Sequence, residues 1–163
     1  MQVRTASPDD QQPIVDIYNH HVRSGFATFD VAQTSVAARS DWFGRFADTG
    51  PHQLVVAVEG AEVLGYACSN PYRDHPAFAE TVELSVYVSP EQVGRGVGSA
   101  LYSDLLERLR DEPIHRILAA IALPNDGSVA LHRRFGFEEI GVFDEYARKG
   151  DRRISSVWMQ RRW

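Results

Sequence analysis

Residues 81–109 pass from "TVELSVYVS" through "PEQVGRGVGS" into "ALYSDLLERL", and this junction constrains the fold more than any other stretch. Upstream, Val82, Leu84, Val86 and Val88 alternate with Thr81, Glu83, Ser85 and Tyr87, the period of a strand with one apolar face. Downstream, Leu101, Leu105 and Leu109 recur every fourth residue, and Val97, Ala100 and Leu106 widen the stripe, as on a helix packed against a sheet. Between the two stand Gly94, Gly96 and Gly98. Glycine loses more conformational freedom on folding than any other residue, so three at alternate positions imply a backbone path that side chains would block. A strand feeding such a loop and then a helix presents bare N–H groups at the positive end of the helix dipole, a cradle for phosphate.

The rest of the chain alternates helix and strand signals at short spacing. A short strand around Val3 precedes a helix from about Asp10, with Asp10 as N-cap, Pro13 in the first turn and Ile14, Ile17, Tyr18, His21 and Val22 as its stripe. A second helix is expected from Ser35 to Thr49, with Trp42, Phe43 and Phe46 inward and Gly50-Pro51 as its stop. "QLVVAVEGAEVLGYACS" reads as a hairpin around Glu59-Gly60. "HRILAAIAL" is a nearly continuous apolar strand, as where both faces are covered. A short helix follows, capped by Asn125 or Asp126 and ended by Gly136, and two strands, at 137–147 and 152–161, close the chain. The order is β-α-α-β-β-β-α-β-α-β-β, a single α/β (α+β) domain over residues 1–163.

With 17 basic against 22 acidic residues, the formal charge of −5 has the wrong sign for a protein whose main partner is nucleic acid. Cys68 is alone in a strand-like run, so no disulfide framework exists and a buried thiol is expected. The N-terminus lacks the pattern of a secretory leader, and no window approaches the ~18 apolar residues of a membrane span. A soluble cytoplasmic protein without membrane contact is expected. The six histidines form no metal-ligand spacing, so no metal site is expected.

Spacing separates the known phosphate loops. The Walker form requires a lysine before Ser99, which is absent, and the dinucleotide form G-x-G-x-x-G would require glycine where Ser99 stands. The remaining form is the Q/R-x-x-G-x-G/A pyrophosphate loop of acetyl-CoA-dependent acetyltransferases, set on Val93-Gly94-Arg95-Gly96-Val97-Gly98. With "YNHH" at 18–21, "ATFD" at 27–30, "TVELSVYVSP" at 81–90 and "ALPNDGSVALHRRFGF" at 122–137, the chain resembles the GNAT N-acetyltransferases, and within them the phosphinothricin/methionine-sulfoximine group. The likeness implies the GNAT acyl-CoA N-acyltransferase fold, a mixed twisted sheet with flanking helices, and acetyl-CoA as co-substrate. Val93 departs from the usual Gln or Arg, which should weaken binding only slightly, because backbone N–H groups hold the pyrophosphate.

The resemblance also implies residue roles. Gly94, Arg95, Gly96, Val97, Gly98 and Ser99 would hold the pyrophosphate; backbone groups of Val86, Tyr87 and Val88 would meet the pantetheine amides, and Asn125 and Ser128 its other side. Glu83, on the polar face of its strand, matches the family's catalytic carboxylate and would take the amine proton; otherwise it is a surface glutamate. His132 matches a position that protonates the leaving thiolate or binds substrate. In the acceptor pocket Phe29 matches a wall, and Arg73 either a cation for the acceptor or a solvated loop residue. His75 and Phe78 replace a usual arginine and tyrosine, so acceptors less anionic than phosphinothricin should be preferred.

The implied reaction is direct transfer of acetyl from acetyl-CoA to the primary amine of a small amino-acid-like molecule in a ternary complex, by a homodimer. Alternatives are acetylation of protein N-termini or lysines, against which the aromatic segments around Phe26, Phe29 and Phe78 argue, and a non-catalytic acyl-CoA-binding module, against which Glu83 argues.

Overall fold

The computed structural model describes residues 1–25 and 27–163. Its elements are β1 (Gln2–Thr5), α1 (Gln11–Ser24), α2 (Ser40–Phe43), β2 (Leu54–Glu59), β3 (Glu62–Pro71), β4 (Thr81–Val88), α3 (Val97–Arg108), β5 (Arg116–Ala122), α4 (Asp126–Arg134), β6 (Glu138–Lys149) and β7 (Arg152–Arg162), in the expected order. The strands form one mixed sheet, β1-β2-β3-β4-β5-β7-β6, in which β4 and β5 run parallel and the other neighbours antiparallel.

Each face of the sheet carries its own apolar cluster. On one, Leu101, Leu105 and Leu109 are fully buried against Val82, Leu84, Ile117 and Met159, with Tyr102 buried among them. Removing one leucine side chain from water contributes about 2 kcal/mol. On the other, Ile14 and Ile17 of α1 cover Leu54, Val56, Tyr66 and Cys68, and Trp42, Phe43 and Phe46 pack at its margin.

Three expectations need correction. The helix expected over 35–49 shrinks to Ser40–Phe43 with a 3₁₀ turn at Ala37–Arg39, because Gly44 ends it and the chain then turns so that the Ala47 N–H reaches the His52 carbonyl. Asp10 stands at the N-cap of α1 but caps nothing there. Its carboxylate turns back to Arg4, with bonds of 2.7 and 2.9 Å, and accepts from the Ser7 N–H and hydroxyl. Burial raises that carboxyl, but Arg4 and Ser7 outweigh burial and hold it below the usual range. Finally, β5 alternates buried and half-buried residues instead of being covered on both faces.

The sheet opens at its centre. β4 and β5 pair at Thr81↔Arg116, Val82↔Ile117 and Glu83↔Leu118 and no further. β4 nevertheless stays on β3 as far as Val88↔Gly65, and β5 stays on β7 as far as Ala122↔Ser156. The two parallel strands therefore splay apart just beyond Glu83.

Candidate active site

The three glycines of the loop answer two demands. Gly94 and Gly96 both have φ of +82°, a left-handed conformation that L side chains resist. At Gly98 a Cβ would lie 3.1 Å from Leu131 Cδ2, so close packing of α4 on α3 needs its bare backbone. Gly96 is the N-cap of α3 and offers no side chain, and the first ladder bond runs from the Ala100 N–H to the Gly96 carbonyl at 3.0 Å. The N–H groups of Val97, Gly98 and Ser99 thus face the loop at the positive end of α3, a donor set that fits a pyrophosphate. Val97 contributes backbone only, since its side chain is buried in the core. Arg95 is drawn aside, bonded to Gln92 and 3.7 Å from Glu59.

The split lies next to this loop and holds a cavity of roughly 60 Å³, reached by Ser85, Val86, Tyr87, Ala120, Asn125 and His132 among others. Strand parity decides which backbone groups of β4 face it. The Ser89 N–H bonds the Leu64 carbonyl and the Thr81 carbonyl accepts from the Tyr72 N–H, so odd-numbered residues of β4 turn their backbone toward β3. Leu84, Val86 and Val88 consequently point toward the departed β5. Tyr87 is committed to β3, unlike its expected role, and the Val88 carbonyl already accepts from His21 Nε2 at 3.0 Å. The Val86 N–H and C=O and the Val88 N–H remain for pantetheine amides. Across the split, Asn125 caps α4 by accepting from the Ser128 N–H at 3.2 Å, which fixes both residues at the rim.

His132 is 3% exposed, and both of its nitrogens are engaged. Nδ1 lies 2.7 Å from the Ser128 carbonyl, which can only accept, so Nδ1 carries the proton. Nε2 then accepts from the Tyr102 hydroxyl at 2.8 Å. Burial lowers the imidazole's affinity for a second proton, with the Ser128 bond opposing weakly. Neither nitrogen is left for a thiolate or an acceptor.

Glu83 is the contrasting case. It is the last residue of β4 paired with β5, and among the described residues none donates a hydrogen bond to it or forms an ion pair with it. Burial alone raises its carboxyl above the ordinary value, as suits a base that must take a proton near neutrality. Cys68, on the same face of the sheet, is buried and its thiol is pushed up to about 12, so it is no nucleophile.

The expected acceptor residues meet in one aromatic belt. Phe29 contacts Tyr146 (5.7 Å between centroids), Tyr146 contacts Phe143 (5.3 Å), Phe143 contacts Trp158 (6.2 Å), Trp158 contacts Tyr72 (6.2 Å) and Tyr72 contacts Phe78 (5.3 Å). Arg73 is exposed and lies over Tyr72 and Phe78 at 5.2 and 5.7 Å, while His75 caps the short turn at Pro76–Phe78 by accepting from the Ala77 N–H. Phe26 lies outside the described residues. Sequence reasoning missed Tyr72, Tyr102, Tyr146 and Trp158. Trp158 had a signal, a tryptophan on the face of β7 opposite core residues Val157 and Met159.

A glycine-bounded N–H cradle, a splayed parallel pair and a desolvated carboxylate beside the gap form an arrangement that suits acyl transfer. The pattern of the acetyltransferase (GNAT) family matches residues 14–137, and the chain belongs to that family, the acetyl-CoA-dependent N-acetyltransferases. Among relatives, it is 44% identical to the phosphinothricin N-acetyltransferase of Streptomyces coelicolor, over 99% of this chain and 95% of that protein. It is 37% identical to the L-methionine sulfoximine/L-methionine sulfone acetyltransferase of Pseudomonas aeruginosa, over 97% and 92%. Among solved structures, it resembles a phosphinothricin acetyltransferase from Sinorhizobium meliloti in complex with acetyl-CoA, with a TM-score of 0.91, 32% identity and 99% and 87% coverage. A ribosomal-protein-alanine N-acetyltransferase from Brucella melitensis gives a TM-score of 0.93 at 32% identity, with 100% coverage of both chains.

Proposed function

We propose that this chain, as one domain over residues 1–163, transfers acetyl from acetyl-CoA directly to the primary amine of a small amino-acid-like acceptor of the phosphinothricin or methionine sulfone/sulfoximine type. The observation that carries this reading is Glu83, a carboxylate raised by burial at the point where β4 and β5 part and without a partner among the described residues. The amine must shed a proton to attack the thioester, and Glu83 takes it directly or through one water. Both substrates are bound together in a ternary complex, since the buried Cys68 offers no thiolate for an acyl-enzyme. His132 acts by holding α4, and with it Asn125 and Ser128, against the split. Phe29, Arg73, His75 and Phe78 wall the acceptor side with the aromatic belt, and the uncharged character of Phe78 favours acceptors less anionic than phosphinothricin.

The reading extends to a cytoplasmic homodimer: Ile140 and Val142 on edge strand β6 are each about half exposed, apolar side chains on a sheet edge that a second copy would cover. A second reading, acetylation of protein N-termini, is favoured by the likeness to the ribosomal-protein-alanine enzyme. Thiol release from acetyl-CoA across a panel of methionine sulfone, methionine sulfoximine, phosphinothricin, free amino acids, polyamines and alanine-initiated peptides separates the two. Fastest turnover is expected with the sulfone or sulfoximine, and turnover confined to peptides would overturn the small-acceptor reading.

A further inference from the structure

Trp158 stands opposite Ala120 of β5, and Ala120 lines the split. Glu83 stands opposite Leu118, two residues before Ala120 on the same strand. Cross-strand partners share a face and residues two apart share a face, so Trp158 and Glu83 lie on the same side of the sheet. Tyr72, bonded through its N–H to the Thr81 carbonyl, is on that side too. Tyr72 follows β3 and Trp158 belongs to β7, with β4 and β5 between them in the sheet. Their 6.2 Å ring contact therefore passes over both central strands, at the end where Glu83 lies.

Trp158 Nε1 is buried, and no described residue accepts its hydrogen. The other two indoles of the sequence are committed, Trp42 to Asn70 Oδ1 at 3.2 Å and Trp163 to the Arg110 carbonyl at 3.3 Å. A buried N–H without a partner is a standing cost to the fold, and such groups are rare enough in native proteins to need a reason. The indole lies on the face of the sheet that carries Glu83. We infer that the Trp158 Nε1–H donates a hydrogen bond to an oxo oxygen on the acceptor's side chain, and so selects sulfone-, sulfoximine- or phosphinyl-bearing amino acids over their thioether counterparts. An uncharged donor among aromatic rings matches an S=O or P=O oxygen. The α-carboxylate calls for a cation, which Arg73 supplies at the outer side of Tyr72 and Phe78.

This inference rests on the small-acceptor reading above. Methionine sulfone and methionine differ only in the two oxygens, and Trp158→Phe keeps a ring against Tyr72 and Phe143 while deleting the N–H. The ratio of kcat/KM for methionine sulfone over methionine should fall at least tenfold in W158F, with KM for acetyl-CoA unchanged. In wild-type protein labelled with ¹⁵N, methionine sulfone should move the Trp158 indole N–H resonance downfield and methionine should not, a readout that does not depend on the variant folding. An unchanged ratio, or a resonance indifferent to the sulfone, overturns the role of Trp158 and leaves the small-acceptor reading standing. A wild-type protein that acetylates none of methionine sulfone, methionine sulfoximine, phosphinothricin and methionine removes that reading, and the inference with it.

Discussion

Glu83 and His132 carry opposite electrostatic assignments. Burial raises the Glu83 carboxyl, so the native state holds a proton in a pH range where the unfolded chain, near the ordinary 4.5, has already lost it. As a base it works only when ionised, so kcat/KM should fall as pH drops through the raised value, and a pH–rate profile should place that limb above 4.5. The same shift makes ionised Glu83 a liability for stability. Glu83→Gln should raise Tm at pH 7 to 8, and the gain should vanish once pH is below the unfolded value; a gain persisting at low pH would mean that burial is not its cause. His132 is neutral, with its tautomer set by the Ser128 carbonyl and its second nitrogen satisfied by Tyr102. Tyr102→Phe leaves that nitrogen buried and unpaired, which should cost about 1 to 3 kcal/mol in denaturant unfolding. If His132 only holds α4, the acid limb of the rate profile stays where Glu83 puts it.

Elements differ in how openly their sequences declare them. β4 and α3 follow from period alone, because Val82, Leu84, Val86 and Val88 of β4 meet Val97, Leu101, Leu105 and Leu106 of α3 in one cluster, while Tyr87 on the alternate face of β4 packs on the other. α2 does not, because Trp42, Phe43 and Phe46 reach the second cluster from one short turn and do not need the long helix their spacing suggests. Capping by Asp10 failed for a different reason, as the competing guanidinium of Arg4 arrives from β1. Of the loop before α3, the N–H cradle was legible and the diversion of Arg95 to Glu59 was not, since Glu59 lies in a distant hairpin. Gly96→Asp would set a carboxylate at the pyrophosphate position and impose a side chain at φ +82°. Calorimetry should then show acetyl-CoA affinity falling at least tenfold, about 1.4 kcal/mol; unchanged affinity in a folded variant would remove the loop from the site.

At the scale of the whole molecule, function depends on a sheet that is closed at one end and open at the other. The order β5-β7-β6, with the last strand inserted between two earlier ones, brings Trp158 and Tyr146 to the acceptor side, and no local pattern announces it. Local spacing thus gave the glycine loop before α3 and the polar face of β4 that carries Glu83, and the family resemblance supplied the roles expected there, whereas most of the aromatic belt is a consequence of strand order. The gap between β4 and β5 joins the halves, with the N–H cradle of α3 beside it and the raised carboxylate where it begins. That account is tested most directly by turnover of Glu83→Gln at saturating acetyl-CoA and methionine sulfone, near neutral pH. Acetyl-CoA affinity should stay within about twofold of wild type while kcat falls roughly 100-fold or more, the usual worth of a positioned base. Full kcat in the folded variant would contradict it, and the amine proton would then leave by a route in which Glu83 has no part.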